Sequence, residues 1–167
     1  MFLHLLAEVT DNIQQITPEE QKKLTQAKKA AARLAAIQFC YSLLLINKES
    51  DPENILTLNK MFSESIVEKP DKKHYYNLTK AIKFHTTEAK IELAPFLANG
   101  KSFEQLDKLY QAILLTAACE AKEFKGSVPP KVIINEYTNV AASFADPSLT
   151  KFINAVIDKF VKNLNLL

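Results

Sequence analysis

The chain has 167 residues, 47% of them hydrophobic, and a formal net charge of +2. That is long enough for one domain with a real core, while the small net charge excludes a partner recognised by a global electrostatic field and leaves only a local patch. Two glycines among 167 residues cannot build glycine-rich phosphate loops, and abundant Ala, Leu, Lys and Glu point to helices.

In chain order, Phe2, Leu5, Leu6, Val9, Ile13 and Ile16 recur at helical spacing and predict a first helix over residues 2–16. Its Met1–Leu6 start lacks a cationic lead and meets Glu8 and Asp11, unlike a signal peptide. Thr17-Pro18-Glu19-Glu20 is a start signal, with a capping hydroxyl, a proline at the first helical position and a glutamate placed for a capping box, so a long helix runs from there to about Ile46. On that helix Lys22, Lys29 and Arg33 fall within about 20° of one another over roughly 16 Å, a stripe suited to a phosphate backbone or to solvation alone. Arg33 is the one arginine of the chain. It has a planar fork that can grip a phosphate through two hydrogen bonds.

Asp51-Pro52-Glu53 opens a short helix toward Val67, and Lys69-Pro70-Asp71 opens another that continues to about Ala94. Asn99-Gly100 is a turn. A cap near Ser102 begins a helix carrying Leu106, Leu109, Tyr110, Ile113, Leu114 and Ala117, which ends before Gly126. Pro129-Pro130 starts a helix whose stripe is Ile133, Ile134, Tyr137, Val140, Ala141 and Phe144. After Asp146-Pro147-Ser148 the last stripe is Leu149, Ile153, Val156, Ile157, Phe160 and Leu164. Lys151 points almost opposite that stripe, and Phe152 lies roughly 90° from its centre. A ring at such a border can stack a base while the ammonium meets a phosphate, or it can tuck under a neighbouring helix.

No stretch reads as a strand, and none approaches the roughly 18 uninterrupted apolar residues of a membrane span. Cys40 and Cys119 sit in apolar helical runs and read as reduced thiols in a cytoplasm. His74 and His85 are separated by roughly 16 Å along a helix, too far to share a metal, and His4 has no companion. No nucleophile elbow or metal-ligand spacing nominates an enzyme, a metal or a cofactor.

Two ordered blocks, Val128-Pro129-Pro130-Lys131-Val132-Ile133-Ile134-Asn135-Glu136 and Lys151-Phe152-Ile153-Asn154-Ala155-Val156-Ile157-Asp158, resemble the V-P-x-K-V-x-I-N-E and K-F-V-N-G-V-L-D runs of the NusB family of bacterial transcription antitermination factors. The Glu136-Tyr137 continuation resembles the alphaproteobacterial branch. A third block, Lys28-Lys29-Ala30-Ala31-Ala32-Arg33-Leu34-Ala35-Ala36-Ile37-Gln38-Phe39-Cys40-Tyr41, is similar to the family's basic lead into A-R-x-x-A-x-Q-x-x-Y, with Ala30 and Ala31 where arginines are usual. In Ile113–Ala121 the family's I-L-R-x-A-x-Y-E-L has become a run with Leu115 and Cys119, to which no binding role is carried over.

The resemblance spans roughly residues 27–162 and implies an all-α, NusB-like domain over 18–167 made of two packed helical subdomains, with residues 1–17 an added N-terminal helix. It implies binding of single-stranded boxA RNA together with ribosomal protein NusE, assembly with other Nus factors on RNA polymerase, and support of ribosomal RNA transcription. Lys28, Lys29, Arg33, Lys151 and Phe152 are then the RNA-binding candidates, and Tyr41 and Glu104 the candidates for the partner-protein face. Asn135 and Glu136, at a helix start, are expected to be structural. Monomer and homodimer both occur in the family, and a helical adaptor that keeps its protein partner without binding RNA is the alternative.

Overall fold

In a computed structural model the described residues are 16–46, 52–53, 69–97 and 100–164. Among them are five α-helices: α1 (Pro18–Ile46), α2 (Lys72–Leu93), α3 (Lys108–Glu123), α4 (Pro130–Ala142) and α5 (Pro147–Asn163). Of the helix expected over residues 2–16 only Ile16 is described, non-helical and exposed; the rest of it, and most of the one expected between Asp51 and Val67, fall outside the described residues; Pro52 and Glu53 are helical.

Each start has a local chemical cause. Thr17 and Glu20 form the expected capping box: the Glu20 N–H donates to Thr17 Oγ1 at 3.2 Å, and the Thr17 N–H donates to Glu20 Oε2 at 2.8 Å. Asp71, Asp107 and Asp146 cap α2, α3 and α5 by accepting the backbone N–H groups of His74, Leu109 and Leu149. Ser102 caps something shorter than expected, a 3₁₀ turn over Phe103–Gln105. The long helix then starts afresh at Asp107, because Leu106 is extended and breaks the run. Gly126 has φ +81°, the left-handed conformation that turns the chain after α3.

Helices α1, α2 and α3 pack on one another, while α4 and α5 pair and both pack on α3. The backbone N–H of Asp71 donates to the Lys28 carbonyl at 3.0 Å, and the Lys83 ammonium lies 5.8 Å from the centre of the Phe39 ring. Helices α1 and α2 therefore run side by side in one direction. Small residues make the approach close: Ala32, Ala35 and Ala36 on α1 and Ala81 and Ala89 on α2 are all sealed in the core.

Helix α3 is the axis of the assembly. Every residue from Gln111 to Ala121 is buried, so this helix has no solvent face to assign by periodicity. Its polar members each find a partner. Gln111 Nε2 donates to the Leu106 carbonyl at 2.7 Å, and Thr116 Oγ1 donates to the Ala112 carbonyl at 2.8 Å. Leu115 and Cys119 are fully buried packing residues. Burial pushes the Cys40 and Cys119 thiols up to about 12, which keeps both protonated.

One position of the expected core is corrected. Phe144 is 56% exposed because α4 ends at Ala142 and the next residues turn out toward Asp146, so helical spacing no longer governs that side chain. No described helix is long and apolar enough to cross a membrane.

If α3 holds both halves, truncating its buried Leu114 should act on the whole domain. Leu114→Ala is expected to lower stability by about 2–5 kcal/mol in urea unfolding, as a single transition followed by both far-ultraviolet and tyrosine signals. A loss below about 1 kcal/mol, or two separate transitions, would contradict the central position of α3.

Candidate nucleic-acid interface

A cleft of about 520 Å3 opens between the middle of α1 and the N-terminal part of α4. Lys29 and Gln26 of α1 and Pro129, Val132, Asn135 and Glu136 at the start of α4 line it, together with His74 and Phe124. Lys29 and Asn135 are exposed at its rim.

Arg33 lines the same cleft but does not offer its guanidinium outward, which corrects the expectation that it grips a phosphate. It is 4% exposed and turned into the core. Its Nε donates to Glu120 Oε2 at 2.9 Å and to Oε1 at 3.1 Å, and its Nη2 donates to Oε1 at 2.7 Å. Nη1 stands 3.7 Å from Glu136 Oε2. The cationic stripe of α1 therefore ends at Lys29. The helix is largely solvated up to that point and, but for the half-buried Leu34, buried from Ala31 to Ile37, so cations at one angular position meet water at Lys22 and Lys29 and the core at Arg33.

Glu120 explains the burial. It is a fully enclosed carboxylate midway between helices α1 and α4, and a carboxylate cannot be left there without a counter-charge. The Tyr137 hydroxyl donates to Oε2 at 2.6 Å, and His74 Nε2 stands 3.5 Å from Oε1 without the alignment of a hydrogen bond. Burial by itself would raise the Glu120 carboxyl, but His74, Arg33 and Tyr137 together hold it down to about 2. Burial works against the Arg33 charge as well, and the hydrogen bond to Glu120 overcomes it, raising the guanidinium above its ordinary range. Burial and the adjacent Glu120 charge push the Tyr137 phenol well above 10, so it remains a donor. Glu120 was not singled out in the sequence; the signal available was a lone carboxylate inside the apolar run Ile113–Ala121.

The other candidates spread over two faces. The Lys28 side chain is half-buried, and its backbone carbonyl anchors Asp71. Lys151 on α5 is exposed, while Phe152 beside it is half-buried and packs against the core. Neither lines the cleft, yet a chain of neighbours joins them to it. One turn beyond Asn135, Thr138 Oγ1 donates to Asn154 Oδ1 on α5 at 3.1 Å, and Lys151 lies one turn before Asn154. Tyr41 is 36% exposed near the far end of α1, and Glu104 is exposed in the 3₁₀ turn before α3, away from the cleft lining. Among the described residues no His, Cys, Asp and Glu cluster has the make-up of a metal site.

The buried carboxylate sets an acid limit. Glu120 takes up a proton near its ordinary 4.5 when unfolded and only near 2 when folded, so its contribution is whole above about pH 4.5 and is lost as pH falls toward 2. Urea midpoints taken down that range should record a loss of about 3 kcal/mol beyond that of a Glu120→Gln variant. At pH 7, Glu120→Gln itself is expected to cost about 3–5 kcal/mol, because the Arg33 charge stays buried without an anion, and Tyr137→Phe about 1–3 kcal/mol. A near-neutral Glu120→Gln would refute the pairing.

Comparison with known proteins follows the same geometry. The NusB family matches residues 30–162, which takes in α1 from Ala30 and all of α2 to α4 and nearly all of α5. The transcription antitermination protein NusB of Rickettsia bellii is 31% identical over 140 residues, covering 79% of this chain and 88% of its own length. That of Pseudoalteromonas atlantica is 34% identical over 140 residues, covering 83% and 94%. Among solved structures, T. maritima NusB superposes with a TM-score of 0.62 at 22% identity, over 80% of this chain and 90% of its own. A chain in the crystal structure of a plectonemic RNA supercoil superposes with a TM-score of 0.68 at 18% identity, over 83% and 96%. The matched span and the identity to NusB proteins over more than two thirds of the chain show that this chain belongs to the NusB family.

Proposed function

We propose that the chain is a cytoplasmic, non-enzymatic transcription antitermination factor that binds single-stranded boxA RNA together with ribosomal protein NusE, and that joins other Nus factors on RNA polymerase to support ribosomal RNA transcription. The observation that carries the reading is the run of neighbouring polar side chains from the cleft to α5. Asn135 at the cleft rim, the Thr138–Asn154 hydrogen bond and Lys151 follow one another at single-turn steps. A single strand laid along that path meets an ammonium at each end, from Lys29 and Lys151, with exposed amides between them and the Phe152 ring edge at the far end. Splayed bases need such polar edges and stacking faces. That a chain of the same fold occurs in a crystal of an RNA supercoil agrees with this use of the scaffold.

Charge decides where phosphates go. Glu136 lines the cleft and its side chain keeps about a third of its exposure, so the interior repels a phosphate while Lys29 at the rim attracts one. Lys28, half-buried beside Lys29, adds to that rim. Arg33 acts as a positioning residue: its pair with Glu120 and its approach to Glu136 hold α4 against α1 and so set the cleft width. Tyr41 and Glu104 remain the residues we assign to the face that receives NusE.

The expected outcome is read from salt titrations of labelled boxA RNA with the chain and NusE. Lys29→Ala and Lys151→Ala should each flatten the plot of log affinity against log salt by about 0.7, one phosphate contact on a single strand. Phe152→Leu keeps an apolar plug and removes the ring, and should weaken binding by about 1–3 kcal/mol at any salt. Unchanged slopes for both lysines would remove this path. NusE binding with no gain in RNA affinity would instead make the chain a helical adaptor, a reading favoured by the inward turn of Arg33 and by Ala30 and Ala31 in place of cations.

A further inference from the structure

A second cavity, of about 230 Å3, opens where the C-terminal half of α1, the later turns of α2 and the first residue of α3 meet. Its lining is apolar along Leu43, Leu44 and Ile82, with Cys40 and Thr86 beside them, and Lys90 and Lys108 complete it. Neither lysine is paired with a carboxylate among the described residues. Lys108 Nζ reaches only the amide Oε1 of Gln111, at a long 3.4 Å, and Lys90 has only the neighbouring Cys40 thiol, which burial keeps neutral. Lys122, half-buried as well, instead spans Glu88 and Glu92 at 3.0 and 2.7 Å. Two half-buried cations with no anion among the described residues, set over an apolar floor, form a receptor for a group that is both acidic and aliphatic.

The cavity also lies between the two residues assigned above to the partner face. Leu44 is one turn beyond Tyr41 on α1. On the other side, Gln111, which Lys108 touches, donates through Nε2 to the Glu104 carbonyl at 3.3 Å. Leu45, 56% exposed next to Leu44, extends the apolar surface outward.

We propose that this cavity receives an aliphatic side chain of the protein partner flanked by a carboxylate, the aliphatic group seated on Leu43, Leu44 and Ile82 and the carboxylate held by Lys90 and Lys108. The proposal rests on the reading that the Tyr41 and Glu104 face docks NusE, and it assigns to that face the pocket that anchors the partner. Both lysines are only partly covered, so replacing them leaves the core intact.

Two measurements test it. Affinity for NusE is measured with the wild-type chain and with Lys90→Gln/Lys108→Gln and Lys90→Glu/Lys108→Glu, each checked for an unchanged unfolding midpoint. The glutamine pair should weaken NusE about tenfold and the glutamate pair further, with a reduced salt dependence in both. In parallel, Ac-Gly-Glu-Leu-Glu-Gly-NH2 is titrated against the wild-type chain; it should shift the methyl signals of Leu43, Leu44 and Ile82 and be displaced by NusE. The control Ac-Gly-Lys-Leu-Lys-Gly-NH2 should do neither. Full NusE affinity in both lysine variants, no methyl shifts, or equal shifts from the two peptides would overturn the pocket while leaving NusE docking in place. Failure of NusE to bind the wild-type chain would overturn the docking reading and the pocket with it.

Discussion

A carboxylate sealed inside a helix that is itself sealed on every side must be answered by a cation, and in this protein the answer is Arg33 to Glu120. The demand is geometric as well as electrostatic. The guanidinium meets both oxygens through three contacts between 2.7 and 3.1 Å, and a planar fork does this where an ammonium offers only a point charge. The chain spends its single arginine there. Because Tyr137 adds a donor from α4 and Glu136 stands near the remaining nitrogen, one buried cluster joins α1 to α3 and α4, which lie far from it along the chain. Such a pair contributes little net stability compared with apolar packing, but it tolerates few alternative registers, since a one-residue slip of α1 would bury two charges apart.

The cleft is a consequence of that registration. Arg33 turns inward toward Glu120 and approaches Glu136 of α4, so Lys29, one turn earlier, is left at the mouth and Glu136 within. The electropositive rim and the polar interior are two outcomes of a single packing constraint. With a net charge of only +2, the protein has no broad field with which to capture a polyanion, so in the proposed RNA-binding role specificity rests on where individual exposed ammonium groups stand. Beside the C-terminal half of α1, Lys90 of α2 and Lys108 of α3 line the apolar pocket that we assign to a protein partner. The same long helix thus carries two differently equipped ends.

Much of the architecture could be read before any coordinates. The capping box at Thr17, the aspartates before α2 and α5 and the double proline before α4 are local signals with local causes, and each stands where it was expected. Local rules failed where the cause was remote. Ser102 has the chemistry of a cap, yet the extended Leu106 lets it start only one short turn. Phe144 continues a helical spacing after the helix has ended. Arg33 shares an angular position with Lys22 and Lys29, but its environment is decided by Glu120, 87 residues away, and no periodicity on α1 contains that information. Glu120 itself was hidden because a helix buried all round has no polar face from which a buried carboxylate could be seen to depart. Phe152 reads as a border residue from spacing and is one in the fold, half covered by the core.

The most direct test of the account is the salt dependence of boxA binding by the chain and NusE when the internal pair is removed as a unit, in Arg33→Met/Glu120→Met. If Arg33 serves only inside the protein, the slope of log affinity against log salt stays at the wild-type value, whatever the effect on stability. A slope shallower by about 0.7 would place the Arg33 guanidinium on a phosphate and contradict the account.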